Sequence, residues 1–398
     1  MVDSTPPHAR RLRIALAHDW LCGVRGGEHV LERIASLVLR EHDGAGLFTM
    51  FNDGRAIGPS VSRLPTHVAP LGRRPWSNRL RRWLLPLYPG AVRDLSWMLA
   101  QEHARKPIDL VISTSSAAIK GLRPPPGVPH LCYCHSPARY VWTQAERYRS
   151  GLRGLGLRLM GDSFREWDRA TAANVTRFIA NSTHTASEIH RCYGRDAAVV
   201  HPPVREMFFE GPLEARDPNA PWLVVSALEP YKCVELAIKA ANKAGHALTV
   251  VGDGSQRAAL EALAGPTVTF TGRVPDEELR AHYRRASLLL FPQVEDFGIV
   301  AVEAQACGLP VVARRAGGAL DSVLDASAVG EGRATGAFFE EDSVESLLDA
   351  VARCPRNAEA CRDNAARFSE ERFDEAMREQ IRLAAAAKRA QSRACPGA

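Results

Sequence analysis

Residues 286–313 constrain the fold more than any other part of the chain. Residues 286–291 form a short apolar run closed by Pro292, the pattern of a buried strand. A tight loop holding Glu295 follows, then a helix with Gly298 near its start and Glu303 inside it; Gly308-Leu-Pro310 is its stop, and 311–313 starts the next strand. Strand, tight loop, helix, strand is the repeating unit of an α/β fold.

The loop–helix junction is also a candidate anion site. Free N–H groups and the positive end of the helix dipole face the loop, and Gly298, between Phe297 and Ile299, lets a phosphate approach the backbone. Glu295 in the loop and Glu303 within the helix flank it. Ionised carboxylates only accept hydrogen bonds, so they suit sugar or ribose hydroxyls, with phosphate on the amides. The other reading is a helix whose first turn carries acids for its dipole.

Taken in order, residues 11–18 form a first strand, followed by a loop with Gly23, Gly26 and Gly27 and a helix from about 29 to 39, the opening of a doubly wound sheet. The glycine loop is not the dinucleotide fingerprint; it is either a phosphate cradle or a plain tight turn. Residues 108–113 form another strand, and 130–134 a strand that delivers His135-Ser136-Pro137 at its carboxyl end, where functional groups of open α/β sheets gather. Residues 178–182 are expected as the last strand of the first domain, and the polar stretch 206–221 as the inter-domain linker. A second domain opens with a strand at 222–228. Lys232 follows at a helix start, placed either for a diphosphate oxygen or as a surface lysine. A strand and glycine turn over 248–254 holds Gly252, the next strand over 268–274 holds Arg273, and a helix is capped at 275–278. Beyond the basic glycine loop 314–318, helices are expected at 343–353, 355–366 and 373–388, with a disordered tail past Gln391.

At 398 residues the chain is too long for one ordinary core, so two domains are expected. It holds no uninterrupted apolar run of membrane-spanning length, and its first eight residues lack a signal core. The cysteines number nine and are scattered, and Cys132-x-Cys134 in a strand-like run reads as buried thiols; together these imply a reducing cytoplasm. The net charge of +6 is unevenly spread. In 71–97, Arg73, Arg74, Arg79, Arg81, Arg82 and Arg93 alternate with Trp76, Trp83, Tyr88, Trp97 and leucines, in a helix-like piece broken by Pro86 and Pro89. That composition suits either a membrane surface or a core helix with a basic outer face; no nucleic-acid fold signature accompanies it. The second basic stretch, 147–169, reads as a solvated face in preference to a mobile acceptor-side helix.

The E-x7-E pair Glu295/Glu303 with its Phe297-Gly298, joined to the H-S-P-x-R-Y-x-W motif over 135–142, resembles the retaining glycosyltransferases of family 4, in particular a bacterial subgroup rich in mannosyltransferases. The resemblance spans about residues 11–385. It implies a GT-B fold: two doubly wound Rossmann-like domains facing each other across a cleft. They would be an acceptor-side domain at 1–205 and a nucleotide-sugar-binding domain at 206–370, with a helix at 371–390 crossing back to the first. It implies that His135 and Glu295 act on the donor sugar and that Glu303 binds the ribose. Gly26, Gly27, Lys232, Gly252, Arg273, Phe297, Gly298 and Ile299 would surround the nucleotide diphosphate and base. Family members commonly carry an arginine where Ala227 stands here, which leaves Lys232 with the local positive charge.

The reaction implied is sugar transfer from a nucleotide-diphosphate donor, GDP-mannose first and a UDP-sugar second. The implied acceptor is a saccharide, lipid-linked, at the cytoplasmic face of the cell membrane, in polysaccharide or lipopolysaccharide synthesis. No D-x-D occurs, so neither metal nor other cofactor is expected. Two alternatives remain: a GT-B sugar-nucleotide epimerase, and an inactive nucleotide-sugar-binding partner of a glycosylation complex.

Overall fold

The computed structural model describes residues 10–23, 26–74, 76–139, 141–142, 151–213 and 215–394, without the side chains of Arg82, 151–160 and 387–394. Val24 and Arg25 of the first glycine loop, Pro75 of the basic patch, Tyr140 of the histidine motif, residues 147–150 and the last four residues lie outside the described residues.

The chain divides into two units, one of residues 1–181, 185–200 and 374–398, the other of 182–184 and 201–373. The first unit holds a seven-stranded sheet ordered β3-β2-β1-β4-β5-β6-β7. Its strands are β1 (Arg13–Leu21), β2 (Asp43–Asn52), β3 (Thr66–Gly72), β4 (Leu110–Ser115), β5 (His130–Cys134), β6 (Arg177–Ala180) and β7 (Ala197–Val199). Every pairing is parallel, from Ile14 opposite Leu110 to Val111 opposite His130. Parallel neighbours cannot be joined by hairpins, so each connection is a crossover, and helices cover both faces. Hence β4 and β5 are buried along their whole length.

The second unit repeats the plan with six parallel strands ordered β10-β9-β8-β11-β12-β13. They are β8 (Trp222–Val225), β9 (Leu248–Val251), β10 (Val268–Gly272), β11 (Leu289–Phe291), β12 (Val311–Arg314) and β13 (Gly336–Phe339). In both sheets the strand order reverses beside the first strand, β1/β4 and β8/β11, and such switch points leave a crevice at the carboxyl ends.

Several sequence expectations change. Residues 178–182 are not the last strand of their sheet: β7 pairs outside β6, and with three residues it was too short to stand out. β2, β3 and β13 also went unread. Pro89 does not break a helix but opens one, Tyr88–Arg105, because proline at the first turn loses only an N–H that has no partner there anyway. The stretch expected as a linker packs into the second unit: Phe208 within it is fully buried, and Val204 just ahead of it is fully buried and bridges to Ser369. The last helix, Glu370–Ala394, runs past Gln391, where disorder was expected. Residues 151–169 of the second basic stretch lie in the helix Gly151–Thr171, and that helix is not solvated all round. Asp168 is fully buried and takes the Lys120 ammonium at 2.8 Å, the Trp142 indole N–H at 2.7 Å and the Tyr193 hydroxyl at 2.9 Å.

One side chain holds the helices of the second unit in register. Arg216 donates to the carbonyls of Tyr283, Arg284 and Ala286 at the end of Asp276–Arg285, and to those of Cys307 and Gly308 at the end of Ile299–Ala306. A cation on the carboxyl ends of two helices satisfies orphan carbonyls and both dipoles at once. Arg216→Gln is expected to lower stability by about 3 kcal/mol, read as a drop in the urea midpoint of the second unit's transition.

Candidate active site

In the first unit the glycine loop and the histidine motif meet. The helix Gly26–Glu41 starts on the two glycines, and a side chain built on Gly27 would begin 3.4 Å from His135 Nε2. His135 follows β5 directly; its N–H donates to Ser115 O at 2.7 Å, and its carbonyl accepts from Asn181 Nδ2 at 3.0 Å. Nε2 is buried with no hydrogen-bond partner among the described residues, as are Ser115 Oγ, Ser136 Oγ and Asn181 Oδ1. A set of unpaired polar atoms at the carboxyl ends of β4, β5 and β6 is costly in a core and useful in a site.

Around them lie residues that the sequence reading passed over. His18, at 4% exposure, reaches Thr114 Oγ1 at 2.6 Å through Nδ1 and lies 4.0 Å from Glu28 through Nε2. Asp19 is buried and accepts the backbone N–H groups of Ser116, Ala117, Ala118 and Ile119 at 2.6–2.9 Å, pinning the turn after β4. An acid at the end of an apolar strand was the available signal for it. Burial above all pushes His135 down to about 3, with His18 and Arg139 acting in the same direction and Glu28 against them. It is therefore a neutral imidazole at physiological pH, and protonating it costs stability as pH falls below the ordinary histidine range.

In the second unit the loop after β11 carries the central cluster. Gly298 caps the helix Ile299–Ala306 in the left-handed region, φ +86°, and an added Cβ would lie 2.7 Å from the Phe291 ring. The basic glycine loop presses onto it: Gly318 N–H donates to Glu295 O at 2.9 Å, and a Cβ on Gly318 would fall 2.2 Å from Phe297 Cα. The arginines of that loop face carboxylates, Arg314 on Asp342 at 2.8 Å and Arg315 on Glu340 at 3.1 Å. Phe297 is buried against His201 and Phe368, so it offers only its backbone, while Ile299 is half-buried on the same core.

Lys232, in the turn after β8, bonds Glu295 Oε1 directly. Glu303 turns the other way. It is 7% exposed, its Oε2 accepts from Tyr283 OH at 3.1 Å, and its Oε1 lies 3.6 Å from Arg205. Burial raises it to about 7 in spite of Arg205 and Tyr283. Gly252 is required by a close approach: at φ +136° its Cβ would lie 1.8 Å from Ser226 O. Arg273 stands exposed after Gly272. Neither Tyr283 nor Arg205 carried a sequence signal, because only packing brings them to Glu303.

His135 and Gly27 thus belong to the first unit, and Lys232, Glu295, Gly298 and Glu303 to the second. Among the described residues no His, Cys, Asp and Glu gather as metal ligands.

The two sheets are the α/β plan of nucleotide-sugar glycosyltransferases, and known proteins agree. The family model for Glycosyltransferase Family 4 matches residues 48–206, and that for Glycosyl transferases group 1 matches residues 209–371. The chain belongs to the group 1, family 4 glycosyltransferases. It is 32% identical over 211 residues to a GDP-mannose-dependent alpha-(1-6)-phosphatidylinositol monomannoside mannosyltransferase of Mycolicibacterium smegmatis, covering 45% of this chain and 52% of that protein. It is 33% identical over 233 residues to a D-inositol 3-phosphate glycosyltransferase 2 of Catenulispora acidiphila, 48% of this chain and 52% of that one. The chain spans about half the length of these relatives.

Among solved structures, the sucrose-phosphate synthase of Thermosynechococcus elongatus superposes with TM-score 0.72 at 18% identity, over 95% of this chain and all of that one. The Anabaena protein HepE in complex with UDP follows at 0.65 and 16%, over 94% and 100%. The fold is GT-B.

In an NMR titration the His135 ring protons are expected to stay flat from pH 8 to about 4, since the imidazole charges only near 3. A midpoint near 6.5 would show instead that the ring is solvated.

Proposed function

We propose that the chain is a retaining glycosyltransferase that moves a sugar, mannose first, from a nucleotide-diphosphate donor to a saccharide acceptor. The observation that carries this reading is the direct contact of Lys232 with Glu295 beside the N-terminus of Ile299–Ala306. It sets a cation, backbone N–H donors and a carboxylate acceptor side by side. A sugar joined to a diphosphate needs that combination: cation and amides for phosphate oxygens, carboxylate for neighbouring ring hydroxyls. Glu303 then takes the ribose hydroxyls, and neutral His135 serves a sugar hydroxyl.

In the transfer, the acceptor hydroxyl oxygen bonds the anomeric carbon, and the bond from that carbon to the phosphate oxygen breaks. Its electron pair leaves on the nucleoside diphosphate, whose growing charge falls to Lys232 and the amides of Gly298 and Ile299. That arrangement calls for no metal. GDP-mannose as donor is supported by the mannosyltransferase likeness, and a UDP-sugar by HepE. The acceptors that the two relatives are named for differ from one another, so the acceptor is proposed only as a saccharide, lipid-linked, on the cytoplasmic side of the membrane.

The membrane side of the reading rests on the first unit's surface. Trp76, Leu80, Trp83, Leu87 and Trp97 are exposed, Trp97 by 66%, among Arg73, Arg74, Arg79, Arg81 and Arg93. Five of the eight large exposed hydrophobics of the described residues fall in this one stretch, a concentration that single scattered residues do not show. Tryptophans with arginines fit the interface of an anionic bilayer. No helix of the described residues is long and apolar enough to cross a membrane.

Two measurements test the proposal. Incubated with GDP- and UDP-sugars in EDTA, the purified protein is expected to release one nucleoside diphosphate slowly. Glu295→Ala and Lys232→Ala should each cut that rate by about 10²-fold or more. The absence of both release and saturable nucleotide binding would overturn the transferase reading, while binding without release would favour the inactive partner. Second, the protein is expected to sediment with phosphatidylglycerol vesicles over phosphatidylcholine ones. Trp83→Ser with Trp97→Ser should weaken this several-fold, and no lipid preference would remove the membrane assignment.

A further inference from the structure

Arg205, in the segment ahead of β8, is held from three sides. Both terminal nitrogens donate to Asp276, at the start of the helix Asp276–Arg285, with Nη2 to Oδ1 at 3.0 Å. The Phe208 ring lies 4.9 Å from its guanidinium. The same Nη2 stands 3.6 Å from Glu303 Oε1, and Nε is buried without a hydrogen-bond partner among the described residues. The guanidinium is therefore pinned in place, and pinned toward Glu303.

Glu303 is gripped at both oxygens, by the neutral Tyr283 hydroxyl on Oε2 and by this cation on Oε1. The charged and titratable groups that face it are Arg205, Tyr283, Asp276 and Cys307. Burial lifts it, Asp276 lifts it further, and Arg205 is the strongest influence the other way, with Tyr283 next. Cys307 is a neutral thiol, pushed up to about 12 by its own burial. Whether Glu303 is a carboxylate near neutral pH therefore turns on one guanidinium.

We propose that Arg205 is a positioning residue for nucleotide binding: it holds Glu303 Oε1 as an ionised acceptor for the ribose hydroxyls without touching the nucleotide itself. This rests on the assignment of Glu303 to the ribose made above. Asp276 is the anchor that sets where the guanidinium stands.

The test is calorimetric binding of GDP and of 2′,3′-dideoxy-GDP (or the UDP pair) to the full chain from pH 5.5 to 8.5. Wild type, Glu303→Gln, Arg205→Gln, Arg205→Lys and Asp276→Asn are compared, with a thermal melt on each. Wild type is expected to prefer the ribonucleotide with a preference that grows as pH rises through about 7, and Glu303→Gln to abolish the growth. Arg205→Gln should move that limb upward by about one pH unit, a roughly tenfold loss of the ionised form below it, and Arg205→Lys should restore most of it. Asp276→Asn removes both the anchor of the guanidinium and a carboxylate that lifts Glu303, two effects of opposite sign. Arg205→Met, added to the set to keep the packing on Phe208 without the charge, therefore carries the test if Arg205→Gln does not fold, and should show the same upward move.

A limb unmoved in the folded Arg205→Gln or Arg205→Met variant, with only the melting temperature changed, would mean that Arg205 is a structural staple and overturn the proposal. The Glu303 assignment would still stand in that case. A wild type that binds ribo- and dideoxynucleotide alike at every pH would overturn the Glu303 assignment itself, and the role of Arg205 with it.

Discussion

The loop that carries Glu295 is shaped by backbone pressing on backbone. Gly318 donates its N–H to Glu295 O, Ser182 Oγ donates to Asp296 O, and Gly298 turns the chain into the helix through a left-handed φ. None of these contacts spends the functional atoms. The Glu295 carboxyl stays beside Lys232, and the amides of Gly298 and Ile299 stay at the mouth of a helix. Because any side chain at Gly318 would collide with the main chain at Phe297, the two loops must move together or not at all. The rest of the second unit supports that junction. Gln305 and Asn364 bond one another and the Ser322 carbonyl inside the core, and Arg216 ties off the far end of the same helix.

Charge is buried in both units with different consequences. In the first, Lys120 and Asp168 are sealed, with an indole and a phenol closing the remaining oxygen. A pair held at 2.8 Å with both partners sealed is structural, and it anchors Trp142 of the histidine motif to the helix Gly151–Thr171. Asp19 is likewise spent on four amides. In the second unit Glu303 is only partly compensated: a cation at 3.6 Å and one phenol do not offset its burial, so it titrates near neutrality. Sealed and closely paired buried ions build the fold, and the under-satisfied one lies where the ribose is proposed.

Legibility followed chain locality. β5 was readable to the residue because a run of Leu, Cys, Tyr and Cys after His130 ends in His-Ser-Pro, and the existence of a helix after Glu295 because Gly298 and Gly308 mark its two ends. β13 and β7 were not, since each is short and only a neighbouring strand makes it a strand. Pro89 was misread because proline is tolerated at the start of a helix and forbidden within one, and only the surrounding structure says which applies.

By itself the sequence determined the repeating strand–loop–helix order, the glycines that permit close approaches, and which residue types stand at the strand ends. Those are consequences of neighbours in the chain: period, breaker and cap. The tertiary structure decided what each polar group does. It paired Lys232 with Glu295, laid Gly27 under His135, turned Phe297 into the core, and brought Arg205 from 98 positions away to Glu303. Ionisation and partnership depend on burial and on distance in space, and neither is written in the spacing of residues along a chain.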